Sequence, residues 1–571
     1  LNHYNWRLHP GLPLKHPLQN TQYPPLIRQL LYNRGILDPA QAEVFFQPDN
    51  RLENDAMLLN GMAQAISRIY KALLSGEQIA IYGDFDVDGI TSTALLVKGL
   101  RALGGRVISY IPHRLQEGHG LNDYALSEIK ERGVNLVITT DCGITGIKQV
   151  RKACRAGMDV IITDPHLPEE ELPSAIAVID PHCKNDSYPF KELAGVGVAY
   201  KLLSALYGSL GRAGEVKTYL DLVALGTVAD MVPLTGENRY LVIEGLKQLR
   251  ANPSPGIQEL ALQAGISVAR MSADDISWVL APRLNAAGRM EDAKSSYQLL
   301  ITDSIEEASN LAQWLNEKNC ERQKLTAAAF IQAKDEILSR GISPILMARN
   351  SQYAGGILGL VAGKLVEEFY RPAVVIQVDE ELSHASCRSI PEFNITLALH
   401  ECSDLLLQHG GHSMAAGFTV PTKNIPELEK KLSWIASREL QGLDLRPRLE
   451  IDSVARFSDL GGGSYQMLQQ MAPFGQGNPA AVFMSGGVKA VDCRPMGSSG
   501  QHLRLKLKQA NVIWEAVAFG MGDRAIEMQL PLDVVYNLEQ DEWNGGTRLR
   551  LNLLDFAVSG TDTGFYQGAT V

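Results

Sequence analysis

Hydrophobic and polar positions follow two different rhythms along this chain. In the first third, short apolar runs each end in a polar residue and are followed by an amphipathic stretch. They are Gln78-Ile79-Ala80-Ile81-Tyr82-Gly83-Asp84, Val107 to His113, Leu136 to Asp141, Asp159 to Asp164 and Ala175 to Asp180. Continuous β-prone runs separated by helical patterns such as Thr91 to Arg101 and Tyr124 to Arg132 predict βα units around a parallel sheet covered on both faces. In such sheets ligands gather at the carboxyl ends of the strands, and there the chain places its Asp and His residues.

From Ala194 to about Gln313 the pattern is largely helical, including Tyr219 to Ala229, and a polar-apolar stretch from Ile305 toward Arg340 predicts a long connecting helix. A second α/β unit follows, with strands at Ile345 to Ala348 and Ala373 to Ile376 around the small-residue run Ala354 to Gly363, closed by a turn over Gly410 to Gly417. Beyond about Leu443 the alternation becomes apolar-polar, in Leu503 to Lys508, Trp514 to Phe519 and Thr547 to Leu553, as expected for a small antiparallel barrel. The expected division is residues 1–235 (an N-terminal segment and the parallel-sheet domain), 236–340 (helical connector), 341–442 (second α/β domain), 443–557 (barrel) and 558–571 (tail).

A length of 571 residues accommodates such a series at about 100–200 residues per domain. No apolar stretch approaches the roughly 18 residues of a membrane span, and the start lacks a signal-peptide profile, so the expectation is a cytoplasmic protein with no membrane association. The 7 cysteines are scattered and form no C-x-x-C pair, which argues against a disulfide framework or a thiolate zinc site. A net charge of −11 works against indiscriminate coating of nucleic acid, yet leaves room for a focused basic groove or a metal-assisted phosphate site.

Asp84, Asp86 and Asp88 occupy alternate positions directly after a strand. In an extended chain that spacing points all three carboxylates to one side, where they repel strongly unless a cation lies among them. The plain alternative is a solvated turn capping the next helix. An EF-hand is excluded, because Gly89 comes one place too late and position 95 is Leu. Asp141, Asp164 and His166 close other strands, and Asp230 follows the helical stretch. Each alone is commonly a helix cap; together they form a carboxylate and imidazole set suited to Mn²⁺ or Mg²⁺. Two such ions about 3.5–4 Å apart are the usual arrangement for in-line displacement at phosphorus.

The runs Asp84 to Gly89, Thr140 to Gly143 and Asp164 to Pro168 resemble, in order and spacing, the phosphoesterase motifs of the DHH superfamily. Ala281 to Met290, Gly411 to Gly417 and Pro473 to Pro479 are similar to those of its single-strand-specific 5′→3′ exonuclease branch, and the resemblance runs from about Trp6 to Phe556. It implies an α/β architecture: a parallel-sheet DHH domain, a long connecting helix, an α/β DHHA1 domain facing it across a cleft, and a C-terminal OB-fold β-barrel. It further implies hydrolysis of single-stranded DNA to 5′-mononucleotides with two divalent cations, Mn²⁺ or Mg²⁺, in repair and recombination, with a helicase and a single-strand-binding protein as partners. By motif, the metal ligands are Asp86, Asp88, Asp141, His166 and Asp230, with Asp141 as the bridge, and Asp84, Asp141 and His166 carry the catalysis. Arg114, Ser386 and Arg388 match positions that hold the 5′-terminal phosphate, a task suited to a bidentate guanidinium. Arg283, Asn285, Arg289 and His412 match strand-contacting positions. For the two arginines, ion pairing between helix and DHH domain is an equal alternative; for the Gly410 to Gly417 turn the alternative is close backbone packing. Lys506, Lys508, Arg548 and Arg550 alternate on barrel strands, as a single-strand platform or simply a solvated face.

One departure stands out. The family's third motif is Asp-His-His, and this chain has Asp164-Pro165-His166. The resemblance makes the first of those His residues a ligand of the second metal, and Pro offers no ligand, so one metal site is expected to be weakened. Asp180-Pro181-His182 does not repair the motif, because the distance from Asp141 and the trailing Leu167-Pro168-Glu169-Glu170 place it at 164. Compensation by His166 or a water, loss of activity, and altered metal dependence all remain open. With the carboxylates and the phosphate pocket intact, the expectation is Mn²⁺-dependent nuclease activity. The alternatives are a single-strand-binding protein on the same scaffold and a small-nucleotide phosphodiesterase, the barrel and length favouring a polymer substrate. Gly195 to Ala199 lacks the full G-x-G-x-x-G, and Gly359 to Lys364 has the wrong spacing for a P-loop, with Leu at 365.

Overall fold

In the computed structural model, which describes residues 4–560 apart from Leu115, Ser498 and residues 544–545, the apolar runs of the first third pair as a five-stranded parallel sheet. Its order is Arg106–Tyr110, Gln78–Tyr82, Val134–Thr140, Asp159–Thr163, Ala177–Ile179. Most of the expected tail, from residue 561 onward, lies outside the described residues. Side chains along each strand divide between two cores. Ile79, Ile81, Leu136, Ile138 and Ile161 pack with the helices Val87–Ala102, Gly195–Ser209 and Leu220–Ala229. Ala80, Tyr82, Val137, Val160 and Ile162 pack with the helices Asp123–Glu131 and Ile147–Arg155. A sheet buried on both faces has no polar face, which is why its strands read as continuous apolar runs. The register aligns Tyr82 with Thr139, and Thr140 with Thr163, so Asp84, Asp141 and Asp164 leave the sheet at one edge.

The helix Ile305–Arg340 has 36 residues, about 54 Å at 1.5 Å per residue. Ala308, Ala312 and Leu315 near its start join the parallel-sheet core, while Ala329, Ala333 and Ile337 near its end join the core of the second α/β region. One helix thus ties the two regions together. The second sheet runs Gln408–His412, Ala415–Pro421, Leu382–Arg388, Ala373–Gln377, Leu346–Asn350, with only the last pair parallel. The segment expected to be a closing turn at Gly410 to Gly417 is instead a hairpin whose first strand is a largely exposed edge.

Residues 52–445 form one unit; residues 1–51 and 446–571 form the other. In the second unit the strands Phe483–Met496, His502–Gln509, Val512–Ala518, Gly546–Val558 and Leu532–Trp543 close into a barrel, the last pairing back to the first. Residues 5–8 pair in parallel with 448–451, and the buried Trp6 indole donates to Asp555 Oδ2 at 2.9 Å. Leu26, Ile27, Leu30 and Leu31 of the helix Pro25–Asn33 lie in the barrel's core cluster. The N-terminal 51 residues therefore group with the barrel and not, as expected from the sequence, with the parallel-sheet domain. Pairing across more than 400 residues leaves no local signal in the chain.

Candidate metal centre and anion pocket

The three alternate carboxylates are not presented from an extended chain. Asp84 lies two residues past the strand Gln78–Tyr82 and accepts the Phe85 N–H on Oδ1 at 2.8 Å. Asp86 is the N-cap of the helix Val87–Ala102, accepting the Gly89 N–H at 3.0 Å. Asp88 already lies in the first helical turn, so the expected one-sided comb is corrected to a bent path. Its carboxylate accepts the N–H groups of Gly195 at 2.6 Å and Val196 at 2.8 Å, at the positive end of the helix Gly195–Ser209. The segment that fails as a dinucleotide motif is thus the anchor of Asp88. Asp141 takes the left-handed conformation, φ 58°, one that Asp tolerates better than most residues, and its N–H bonds to Thr163 O at 3.0 Å. Position 195 must be Gly, since a Cβ there would sit 2.6 Å from that of Asp141.

These constraints bring one carboxylate oxygen each of Asp84, Asp86 and Asp141 within 4.8 Å of one another. Burial, then Asp84, raises the pKa of Asp86; burial, then Asp230 and Asp86, holds that of Asp88 well above the ordinary range. Asp141 is raised in the same way by burial and then by Asp88, Asp86, Asp230 and Asp84. Asp230 caps the helix Leu220–Ala229 at the rim, where desolvation by the surrounding protein and then Asp86 push it up to about 7, opposed by His166. Among the described residues no Lys or Arg pairs with Asp86, Asp88, Asp141 or Asp230. A thiol-free set of converging, mutually repelling oxygens fits hard divalent cations such as Mn²⁺ and Mg²⁺.

Asp164 braces the loops around the carboxylate group. Its Oδ2 accepts the Ile144 N–H at 2.9 Å, bracing the loop after Asp141, and its Oδ1 lies 2.7 Å from His166 Nδ1. That bond, opposed by burial and aided by the charges of Asp164, Asp230 and Asp88, raises His166 to about 9. A cation at this end competes with that proton. Asp180 and His182 form a similar turn, with the His182 N–H on Asp180 Oδ1 at 2.7 Å, outside the carboxylate group. Sequence reasoning missed His119, whose Nδ1 lies 2.9 Å from Asp84 Oδ2 and whose ring centroid is 4.2 Å from that of Phe85. Its only signal is an imidazole between two glycines in Gly118-His119-Gly120.

A basic pocket lies in the same unit. The Arg114 guanidinium stands 4.8 Å above the Phe85 ring. Arg388, at the end of the strand Leu382–Arg388, donates to Cys387 O at 2.8 Å and reaches Ser386 Oγ at 3.4 Å. Gly359 leaves room for both in the first turn of the helix Leu358–Phe369: a Cβ there would meet Arg388 Nη2 at 2.9 Å and Ser386 Oγ at 3.0 Å. Arg289, on the helix Ala281–Met290, is lowered to about 9 by burial and then by Arg114, Arg322 and Arg388, and its buried Nε has no partner among the described residues. Three guanidiniums crowded together with no ion-paired carboxylate among the described residues, beside a helix N-terminus and a hydroxyl, make an anion site.

Of the other expected strand contacts, Arg283 donates to Asn316 Oδ1 at 3.0 Å and Val279 O at 2.8 Å, and is lowered by burial. Neither Arg283 nor Arg289 makes the alternative ion pair among the described residues. Arg322, unforeseen on the long helix, is lowered by burial and by Arg283, which places the two guanidiniums near each other. Asn285 is half-buried on the helix of Arg283. His412 is exposed on the hairpin; Ala415 is the register partner of both His412 and Arg388, so the two share one end of the sheet. On the barrel, Lys506, Lys508 and Arg548 are exposed, and Arg550 pairs with Glu539 at 3.4 Å.

Comparison with known proteins gives concordant matches. Residues 78–227 match the DHH family N-terminal domain, 343–437 the DHHA1 domain and 451–555 the RecJ OB domain. The single-stranded-DNA-specific exonuclease RecJ of Bacillus subtilis is 37% identical over 540 residues, covering 94% of this chain and 68% of that protein. That of Escherichia coli is 32% identical over 562 residues, covering 93% of this chain and 95% of the other. The crystal structure of RecJ in complex with Mn²⁺ from Thermus thermophilus superposes with a TM-score of 0.83 at 29% identity, over 98% of this chain and 81% of that one. The α/β architecture with a parallel-sheet DHH domain, long helix, DHHA1 domain and C-terminal OB barrel is therefore as expected.

Proposed function

This chain belongs to the RecJ family, and on that premise we propose that it is a metal-dependent exonuclease that removes 5′-mononucleotides from the 5′ end of single-stranded DNA. The observation that carries the reading is the pairing of two clusters of opposite sign, the carboxylates around Asp141 and the arginines around Arg289, with no Lys or Arg ion-paired to Asp86, Asp88, Asp141 or Asp230 among the described residues. They are coupled, because Arg114 stands within the field of Asp86 and Asp84. A strand end bearing a terminal phosphate, with bound cations, satisfies both clusters at once.

Asp86, Asp88, Asp141, Asp230 and His166 would hold two divalent cations, with Asp141 between them and Asp84 supporting. Such ions supply a nucleophile at neutral pH and offset the negative charge that develops on the phosphate oxygens. The chain's own contribution is position. Asp88 is pinned by two main-chain N–H groups, so its carboxylate does not swing away, and Asp141 projects from a left-handed residue packed closely against Gly195. His166, fixed through Nδ1 by Asp164, keeps Nε2 for a cation or for a proton passing to the leaving oxygen. Arg114, Ser386 and Arg388, joined by Arg289, take the 5′-terminal phosphate and so set which phosphodiester reaches the carboxylates. Arg283, Arg322, Asn285 and His412 contact the strand beyond it. A helicase and a single-strand-binding protein would present the substrate, in the cytoplasm.

Pro165 favours a second reading, a strand-binding protein with impaired turnover. A single strand labelled at its 3′ end separates the two in Mn²⁺. The exonuclease shortens it stepwise from the other end and leaves a blunt duplex intact; the binder retains it at full length.

A further inference from the structure

Two imidazoles stand against the carboxylate group, each held by a different aspartate. On the side of Asp88 and Asp230 stands His166, tied to Asp164. On the side of Asp84 and Asp86 stands His119, whose Nδ1 is 2.9 Å from Asp84 Oδ2. His119 Nδ1 is not itself one of the atoms within 4.8 Å of each other in the Asp84, Asp86 and Asp141 group; it touches that group through Asp84. Its ring rests on Phe85, the residue whose other neighbour is Arg114, and Gly118 and Gly120 on either side have φ of 75° and 79°. With Oδ1 bonded to the Phe85 N–H, Asp84 is gripped on both oxygens, and His119 is the side-chain half of that grip.

We propose that His119 is a positioning residue of the cation centre, fixing the Asp84 carboxylate so that it completes an oxygen site with Asp86 and Asp141. This inference rests on the two-cation reading above. A hydrogen bond from an imidazole to a carboxylate of a metal site sets the orientation and basicity of that carboxylate. It also gives the Asp84 side of the group a means of tightening that does not depend on position 165, where Pro has no donor atom. The His119 side chain is 67% exposed, so its replacement bears on the site more than on the fold.

The test is Mn²⁺ binding to the full chain by calorimetry, with bound ions counted by equilibrium dialysis. His119→Ala should weaken one of two Mn²⁺ ions by roughly 10–100-fold, the usual cost of losing such a partner, and leave the other unchanged. His119→Asn, which keeps a donor near the position of Nδ1, should restore affinity to within about threefold of the parent. In a Pro165→His background the His119→Ala penalty should persist undiminished, the additivity expected of groups that serve different ions. Two ions bound by His119→Ala with parental affinity would overturn the inference alone. A parent chain that binds no more Mn²⁺ than Asp141→Ala would overturn the two-cation reading beneath it.

Discussion

At the strand ends of the parallel sheet, Asp84, Asp86, Asp88, Asp141 and Asp230 crowd together with no Lys or Arg paired to the last four among the described residues; in the same unit, Arg114, Arg289 and Arg388 crowd together with no paired carboxylate among the described residues. The first group is held by main chain: a helix N-cap for Asp86, two helix N–H groups for Asp88, a left-handed residue for Asp141. The second is gathered from a loop, a helix and the end of a central sheet strand, and its members are held by softer means, Arg114 by the Phe85 ring and Arg388 by carbonyl and hydroxyl contacts. Metal ligation demands fixed oxygen positions, and backbone donors supply that rigidity. Grasping a terminal phosphate demands charge and directional donors, which long planar side chains supply. Repulsion left unrelieved within the fold marks where a ligand of opposite charge belongs.

The sharpest way to break this comparison is to remove its middle. Asp141→Ala should lower the rate of mononucleotide release by about a thousandfold or more, since several kcal/mol of charge stabilisation depend on the cations it is proposed to hold. Steady-state assays in Mn²⁺ check it, and a loss under tenfold would contradict the bridging role. Removing one arginine should do less. Arg388→Ala should cost roughly 10–100-fold in kcat/KM on a 5′-phosphorylated strand, the worth of a charge-assisted pair, with little effect on a 5′-hydroxyl strand. Equal losses on both substrates would place Arg388 outside the phosphate pocket.

The smallest effect concerns stability. The folded, metal-free chain holds protons on Asp86, Asp88, Asp141 and Asp230 more tightly than the unfolded chain does, Asp230 up to about 7. The folded state therefore binds the extra protons, and stability is lost as pH rises from the ordinary carboxylate range through about 7. Metal-free Asp230→Asn should accordingly melt above the parent at pH 8 and level with it at pH 4. With Mn²⁺ at pH 8 the order should reverse. Thermal unfolding reads both, and no difference at pH 8 without metal would remove the repulsion from the account.

Much of this was legible in the chain. The parallel sheet could be read because burial on both faces leaves unbroken apolar runs ending in Asp, and the long helix because its pattern is uninterrupted from Ile305 to Arg340. The strands Phe483–Met496 and Leu532–Trp543 were not, since a bulge between Ala490 and Asp492 breaks the alternation in the first, and in the second Val534, Val535 and Tyr536 are all buried in succession. Asp84, Asp86, Asp88 and Asp141 could be found by type and position, but the path that turns Asp88 into a helix and onto Gly195 could not, because its anchor lies 107 residues away. His119, Arg322 and Gly359 act through contacts between distant segments. That Asp164 braces Ile144 and orients His166 could not be read from its position at a strand end.

The central claim is that the carboxylate group and the arginine pocket act on one strand end together. The most direct test compares mononucleotide release from two single strands that differ only in a 5′-phosphate or 5′-hydroxyl, in Mn²⁺ and after chelation. The account predicts release that requires Mn²⁺ and is faster from the phosphorylated end. Strand binding with no release in Mn²⁺, or release indifferent to the terminal phosphate, would contradict it.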